Sequence, residues 1–146
     1  GFVSKDKKTI QGFVLATTDM QKMFKQVFLK RALPLGLKIL PVLIKNPAII
    51  LKILETFTYS DKESKTKTKA ELIVIAVDRE FRNQNIGSNL LLTTDREFVK
   101  RGIKEYKVTV ISNNLGAIKF YMRCGFKFAY QFSLYKKDWS LLTKKL

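Results

Sequence analysis

One stretch of the sequence, residues 71–126, limits the possible folds more than any other, because strand and helix patterns alternate along it. It opens with the apolar run 72–77, which is typical of a buried strand, and passes through the loop 82–88 into the leucine-rich helix start 89–92. A loop with Asn and Gly between a strand and a helix brings unpaired backbone N–H groups and the positive end of a helix dipole to one point. The sequence therefore predicts an anion site here, best suited to phosphate.

The alternation of strand and helix continues downstream. Residues 87–101 predict a helix that Gly102 ends, residues 105–111 predict a strand, and Asn114 begins another helix, which stops at 124–125. A strand, helix, strand unit of this length implies a parallel strand pair joined by a right-handed crossover. In the first of these helices, the side chains expected to face the core are those of Leu90, Leu91, Thr94, Phe98 and Val99.

The two ends of the chain both predict strands. Residues 1–17 read as a hairpin of two short strands joined by the charged turn 5–8, and Asp19 is a suitable N-cap for a following helix. Near the other end, alternating aromatic side chains over 126–134 predict a final long strand with one aromatic face.

A helical insert is predicted over 18–58, and the polar segment 59–69 after it reads as a mobile surface loop. Four basic residues fall seven apart in the apolar part of the insert, at Arg31, Lys38, Lys45 and Lys52. They are either solvated positions on helices packed against the core or a row facing anionic lipid headgroups. No apolar run approaches the roughly 18 residues of a membrane-spanning helix.

The amino-acid composition narrows the range of possible functions. Lys and Arg number 28 against 12 Asp and Glu, and the net charge of +16 favours acidic partners such as a polyphosphorylated cofactor, anionic lipid or nucleic acid. The absence of histidine excludes the Ser-His-Asp type of hydrolase and His-ligated zinc. The single cysteine, Cys124, excludes an internal disulfide and fits a reducing compartment, so we expect a cytoplasmic protein, peripheral to the membrane if the insert contacts lipid.

Two motifs resemble those of the GNAT superfamily of acyl-CoA-dependent N-acetyltransferases. Residues 82–87, Arg-Asn-Gln-Asn-Ile-Gly, are similar to its signature Arg/Gln-x-x-Gly-x-Gly/Ala, with Asn85 in place of the first glycine. Residues 114–126 are similar to its second signature, Asn-x-x-Ala-x-x-x-Tyr-x-x-x-Gly-Phe, and the two occur in the expected strand, helix, strand order. After glycine, Asn is the residue that best tolerates positive φ, so the turn can form with Asn at position 85.

The resemblance implies an α/β (α+β) fold with a mixed, centrally splayed sheet flanked by helices. The helical insert then precedes the central strand. The family's usual first strand and two helices would precede Gly1, so they are either missing or replaced. The chain opens with Gly1 and not with Met, so the start reads as a fragment boundary. At 146 residues we expect a single domain over 1–146. Its expected parts are the hairpin (1–17), the helical insert (18–58), the mobile loop (59–69), the acetyl-CoA-binding core (70–130) and a C-terminal strand and tail (131–146).

The resemblance also implies a cofactor site and no metal. Backbone N–H groups of the first motif would hold the coenzyme A pyrophosphate at the helix N-terminus, with Arg82 as a nearby cation. The end of the central strand would pair with the pantetheine arm, and the N–H of Val77 would stabilise the oxyanion. Asn114 is either the family residue that binds the pantetheine arm or a simple helix N-cap. The predicted cofactor-binding residues are Ile75, Ala76, Val77, Arg82, Gln84, Asn85, Ile86, Gly87, Ser88 and Asn114.

Two residues are candidates for the chemistry. Tyr121 matches the tyrosine that in many relatives protonates the leaving thiolate, and its alternative role is that of a core aromatic residue. Glu71 lies where some relatives carry a glutamate base, although it also reads as a solvated strand entry. Cys124 has no histidine to activate it, so we expect a packing role for it.

The leading hypothesis is an N-acetyltransferase that transfers an acetyl group from acetyl-CoA to a primary amine by direct attack in a ternary complex. The alternative is a catalytically inactive binding module of the same fold that associates with acidic partners or an anionic membrane surface. A second copy of the chain is a further candidate partner. Nucleic acid is the least favoured of the candidate partners, because basic motifs interleaved with aromatic residues are not evident. Residues 20–57 are expected to shape access for the acceptor, whose identity the sequence leaves open.

Overall fold

The computed structural model describes residues 1–6, 9–23, 25–26 and 68–146. The predicted helices of the insert from residue 27 onwards, its four spaced basic residues and the loop up to residue 67 lie outside these ranges. The described residues form β1 (Phe2–Asp6), β2 (Thr9–Thr17), β3 (Glu71–Val77), α1 (Ile86–Lys100), β4 (Glu105–Ile111), α2 (Leu115–Arg123), β5 (Lys127–Leu134) and β6 (Lys137–Lys145).

The six described strands form one mixed sheet in the order β1-β2-β3-β4-β6-β5. β1 and β2 pair antiparallel, which confirms the N-terminal hairpin, although β1 runs two residues further than predicted, to Asp6. The carboxylate of Asp19 accepts a hydrogen bond from the backbone N–H of Lys22 at 2.8 Å, so Asp19 caps the helical turn that begins at Met20, as predicted. The mixed α/β architecture expected from the sequence is confirmed.

The central strands β3 and β4 run parallel but pair over two residues only, Glu71 with Lys107 and Leu72 with Val108. Beyond this contact the strands separate, and the predicted central splay is confirmed. We call the space between them beyond Leu72 and Val108 the gap. On its other edge β3 pairs antiparallel with β2, with a register shift that leaves Ile73 as the extra residue of a β-bulge.

The core lies between one face of the sheet and the two helices. Its sheet side includes Leu72, Tyr106 and Val108, all nearly free of solvent contact. Helix α1 buries Ile86, Leu90, Leu91, Thr94 and Phe98. The inward positions predicted for α1 are therefore confirmed except for Val99, which is 57% exposed because the neighbouring Phe98 takes the core position on that turn.

The C-terminal residues 137–145 form strand β6, where the sequence indicated only a tail. Tyr135 and Lys136 both adopt positive φ, 51° and 58°, and make the two-residue turn from β5 to β6. Neither residue is typical of such a turn, so the usual Asn-Gly signal of a hairpin is missing. β6 lies between β4 and β5, and its Leu141 and Leu142 are fully buried.

A buried polar network joins α1 to the C-terminal half of the sheet. The Asp95 carboxylate accepts a hydrogen bond from the Tyr106 hydroxyl at 2.7 Å and pairs with the Lys144 ammonium at 2.7 Å. Burial, followed by the hydrogen bond to Asp95, raises the pKa of the Tyr106 hydroxyl far above its usual range, so the hydroxyl stays protonated and remains a donor.

We expect Asp95→Ala to destabilise the protein by about 2 to 3 kcal/mol, because it leaves a partly buried ammonium and a buried hydroxyl without their acceptor. The free energy of unfolding in urea measures this loss. The matched control is Glu97→Ala, which removes an acidic residue of the same helix whose ion pair with Arg101 is largely exposed and should cost at most about 1 kcal/mol. Equal losses in the two variants would contradict a structural role for the network.

Candidate active site

A groove of about 1000 Å³ opens at the end of β3, beside the start of α1 and along one side of α2. It brings together residues that are far apart in the sequence, which is the arrangement expected of a ligand site. Of the predicted site residues, it is lined by Ile75, Ala76, Val77, Arg82, Asn85, Ile86, Gly87, Ser88, Asn114 and Tyr121.

The loop before α1 has the backbone geometry that an anion site requires. Asn83 and Asn85 adopt positive φ of 62° and 60°, and Asn85 lies in the left-handed region at the N-cap of α1. No side chain caps this helix, and the first N–H with an intrahelical partner is that of Asn89, bonded to the Asn85 carbonyl at 2.9 Å. The N–H groups of the first turn are therefore open to a ligand at the positive end of the helix.

Gly87 allows α1 to approach α2 closely. A β-carbon at Gly87 would lie 3.2 Å from the Phe120 ring and 3.6 Å from Val77, both of which line the groove. Any side chain here must displace Phe120, so the glycine sets the width of the groove next to the first turn of α1.

Arg82 and Gln84 are held by backbone carbonyls. The Arg82 Nε atom donates to the Val77 carbonyl at 3.3 Å, which ties the loop to the end of β3 and leaves the other guanidinium N–H groups beside the groove. The Gln84 amide donates to the Glu80 carbonyl at 3.3 Å, and Gln84 does not line the groove. Arg82 thus lines the groove, and Gln84 lies outside it.

The end of β3 turns backbone groups toward the gap. Along a strand, successive residues direct their N–H and C=O groups to alternate edges. The N–H of Asp78 bonds to the Gln11 carbonyl of β2 at 2.9 Å, so those of Ile75 and Val77 point to the opposite edge, where β4 has separated. The N–H of Val77 is therefore directed into the gap, as the predicted oxyanion donor must be.

Tyr121 lies on α2 with its ring in the core and one side on the groove. The ring is packed between Phe120 and Phe126, with both ring centroids at 5.3 Å, and the residue is 7% exposed. Burial, with the nearby Cys124 thiol as a smaller cause, raises the pKa of Tyr121 to about 12. The phenol is therefore protonated at every physiological pH and can donate a proton.

Asn114 acts as the N-cap of α2, because its side-chain oxygen accepts a hydrogen bond from the Ala117 N–H at 3.1 Å. Of the two roles that the sequence left open, the cap is present in the structure. Asn114 also lines the groove. Because its side-chain oxygen is used by the cap, its side-chain NH₂ is the group that can donate a hydrogen bond to a ligand.

Glu71 does not line the groove. It lies at the start of β3, six residues before Val77, which is about 20 Å along a strand. Its side chain is 9% exposed and lies 3.8 Å from the ammonium of Lys107, whose side chain is 5% exposed. The structure thus gives Glu71 a buried ionic partner, and it separates the two predicted catalytic residues.

Several groove residues were not predicted, and most of them come from α2. Five lie on α2 or at its end, namely Gly116, Ala117, Phe120, Arg123 and Cys124, and the other two, Phe81 and Asn83, lie in the segment before α1. The helical spacing around Tyr121 was the signal available for Phe120, Ala117 and Cys124. The Cys124 thiol lies 3.8 Å from the Ser88 hydroxyl, so it packs at the first turn of α1.

Within the described part of the chain, no three His, Cys, Asp or Glu side chains come together as a metal site would require. No helix in those same ranges is long and apolar enough to span a membrane. The cytoplasmic location and the contacts with a membrane surface or a second copy of the chain stay predictions.

Residues 49–126, which make up more than half of the chain, match the acetyltransferase (GNAT) family. The chain therefore belongs to this family. No curated protein is similar enough to count as a match. Many solved structures resemble it. They include a Pyrococcus horikoshii protein, PH1933, with 17% identity over 99% of this chain and 63% of that chain at a TM-score of 0.59.

Two further structures match about half of the chain. One is a Bacillus anthracis protein described as a streptothricin acetyltransferase, in complex with acetyl coenzyme A, with 20% identity over 53% of this chain and 48% of that one at a TM-score of 0.50. The other is the ribosomal-protein-S18-alanine N-acetyltransferase of Escherichia coli, with 29% identity over 52% and 53% and a TM-score of 0.48. The match thus spans about half the length of each protein, and identities of 17–20% bear on the fold alone.

We expect Asn85→Ala to lower the free energy of unfolding by about 1 kcal/mol, because alanine is strained in the left-handed region that Asn tolerates. Asn85→Gly should change it by less than about 0.5 kcal/mol, since glycine adopts this conformation without strain. Urea unfolding measures both, and Asn89→Ala, the same change on the exposed side of α1, is the control and should not destabilise. A neutral Asn85→Ala would show that the loop can relax to another conformation.

Proposed function

We propose that this protein transfers an acetyl group from acetyl-CoA to a primary amine by direct attack in a ternary complex. The observation that carries the proposal is the groove, which joins the open first turn of α1 to the unpaired edge of β3 at the gap. A phosphate site at one end and unpaired strand backbone at the other match the two parts of coenzyme A, its pyrophosphate and its amide-containing arm.

The proposed cofactor contacts follow from the groove. The N–H groups of Ile86, Gly87 and Ser88 bind the pyrophosphate, and the Arg82 guanidinium lies beside it as a counter-charge. The free N–H and C=O of Ile75 pair with the pantetheine amides as a neighbouring strand would. The side-chain NH₂ of Asn114 is available to the arm on the other side of the groove.

The proposed chemistry uses two groups of this chain. The amine nitrogen attacks the thioester carbonyl carbon, and the N–H of Val77 stabilises the oxyanion that forms. As the oxyanion collapses the C–S bond breaks, and the Tyr121 hydroxyl gives its proton to the departing thiolate. The attacking nitrogen loses its proton to solvent, and the Tyr121 phenolate takes a proton back from solvent, so the enzyme returns to its starting state. Glu71 stays a predicted base, but we assign it no step because its carboxylate pairs with Lys107 outside the groove.

Acetyl-CoA binding tests the first part of the proposal. We expect a heat of binding in isothermal titration with cofactor up to millimolar concentration. Gly87→Ala should weaken the affinity about tenfold, because the added carbon pushes Phe120 into the groove. Thr93→Ala is the control, since Thr93 lies on the exposed side of the same helix and does not line the groove, so the affinity should stay unchanged. An absence of binding to the parent protein would sink the proposal.

Transfer tests the second part. We expect the parent to acetylate at least one of spermidine, glucosamine and the peptide Ala-Ala-Ala, and Tyr121→Phe to lower kcat about 100-fold with an unchanged Kd for acetyl-CoA. Binding of acetyl-CoA without transfer to any of the three amines would favour the alternative, a binding module without catalysis.

The pH dependence of kcat follows from the raised pKa of Tyr121. The hydroxyl acts in its protonated form, so activity that depends on it is present below its pKa and is lost as the pH rises through it. Because that pKa is about 12, the parent should keep its kcat up to about pH 10.5, where an unperturbed tyrosine would be mostly ionised. A fall in kcat centred near pH 10, present in the parent and absent in Tyr121→Phe, would contradict this.

A further inference from the structure

Arg123 lies in the last turn of α2 and lines the groove, but the proposed function gives it no role. Of the described residues that line the groove, none is acidic and two are arginines, Arg82 and Arg123. Arg82 is tied to the Val77 carbonyl, whereas the Arg123 guanidinium forms no hydrogen bond or ion pair with any other residue of the described ranges. Its N–H donors are therefore available to an anionic ligand in the groove.

The course of α2 along the groove gives the groove two distinct ends. Asn114, at the start of α2, comes three residues after β4, which borders the gap. Arg123 comes nine residues later, which is about 14 Å along a helix axis. The neighbouring Cys124 has its thiol 3.8 Å from the Ser88 hydroxyl in the first turn of α1. Arg123 therefore lies at the end of the groove away from the gap, beside the start of α1.

Coenzyme A carries its negative charge in two places. The pyrophosphate joins the pantetheine arm to the adenosine, and a separate phosphate monoester on the 3′-oxygen of the ribose carries about two negative charges near neutral pH. In the proposed arrangement the arm runs from the first turn of α1 toward the gap. The adenosine and its 3′-phosphate then lie on the other side of the pyrophosphate, which is the end of the groove that carries Arg123.

We propose that the Arg123 guanidinium binds the ribose 3′-phosphate of coenzyme A, and so selects coenzyme A over its 3′-dephospho form. A planar guanidinium donates two parallel hydrogen bonds to a phosphate, and no carboxylate among the described groove residues competes for them. Arg82 and Arg123 then divide the two charged parts of the ligand between them. This inference rests on the proposed function and adds the residue that distinguishes the cofactor from a nucleotide lacking one phosphate.

The test compares the Kd of coenzyme A with that of 3′-dephospho-coenzyme A, measured by isothermal titration at low salt. We expect the parent to bind coenzyme A about tenfold more tightly, the size of one hydrogen bond between charged groups. Arg123→Gln should lose this preference, because its affinity for coenzyme A falls about tenfold and its affinity for the dephospho form stays the same. Arg82→Gln should weaken both ligands by the same factor, since both carry the pyrophosphate.

The matched control is Lys100→Gln, which removes the same charge from the last turn of α1, where Lys100 is exposed and lies outside the groove. It should bind both ligands as the parent does. An Arg123→Gln variant that weakens both ligands by the same factor would overturn the inference and leave the proposed function in place, as would a parent that binds the two ligands equally well. If the parent binds neither ligand, the proposed function fails first, and the inference fails with it.

Discussion

The early end of pairing between β3 and β4 is the constraint on which the rest of the structure depends. Two parallel strands that remained paired to their ends would satisfy their own backbone groups and leave no room for a ligand. Here pairing stops after Leu72 and Val108, and the β-bulge at Ile73 contributes by changing the course of β3. The unpaired N–H of Val77 follows from this one break in the ladder.

The sequence predicted the core of the fold well because its local signals agree with the tertiary structure. The apolar run of β3, the helical spacing of α1 and the cap at Asn114 each favour the element that forms. The loop geometry of the proposed anion site was also predictable, since it depends on backbone N–H groups at a helix start and little on side-chain identity. The left-handed conformation of Asn85 confirms that Asn can stand where the family signature has glycine.

The remaining features depend on contacts that no local pattern contains. The Tyr135–Lys136 turn has none of the usual turn residues, so β6 was missed, and its place between β4 and β5 is set by long-range pairing. The partner of Glu71 is Lys107, 36 positions later in the chain, and spacing alone could not show it.

The insertion of β6 between β4 and β5 has a consequence for the order of folding. Residues 105–111 of β4 meet residues 139–145 of β6, whereas β5, which is made earlier, has no place in the sheet until β6 lies beside it. On the ribosome, β4 and the aromatic strand β5 therefore emerge before the strand that joins them. This half of the sheet can close only when residues 137–145 lie between β4 and β5, and pairing between segments so far apart in the sequence favours slow folding.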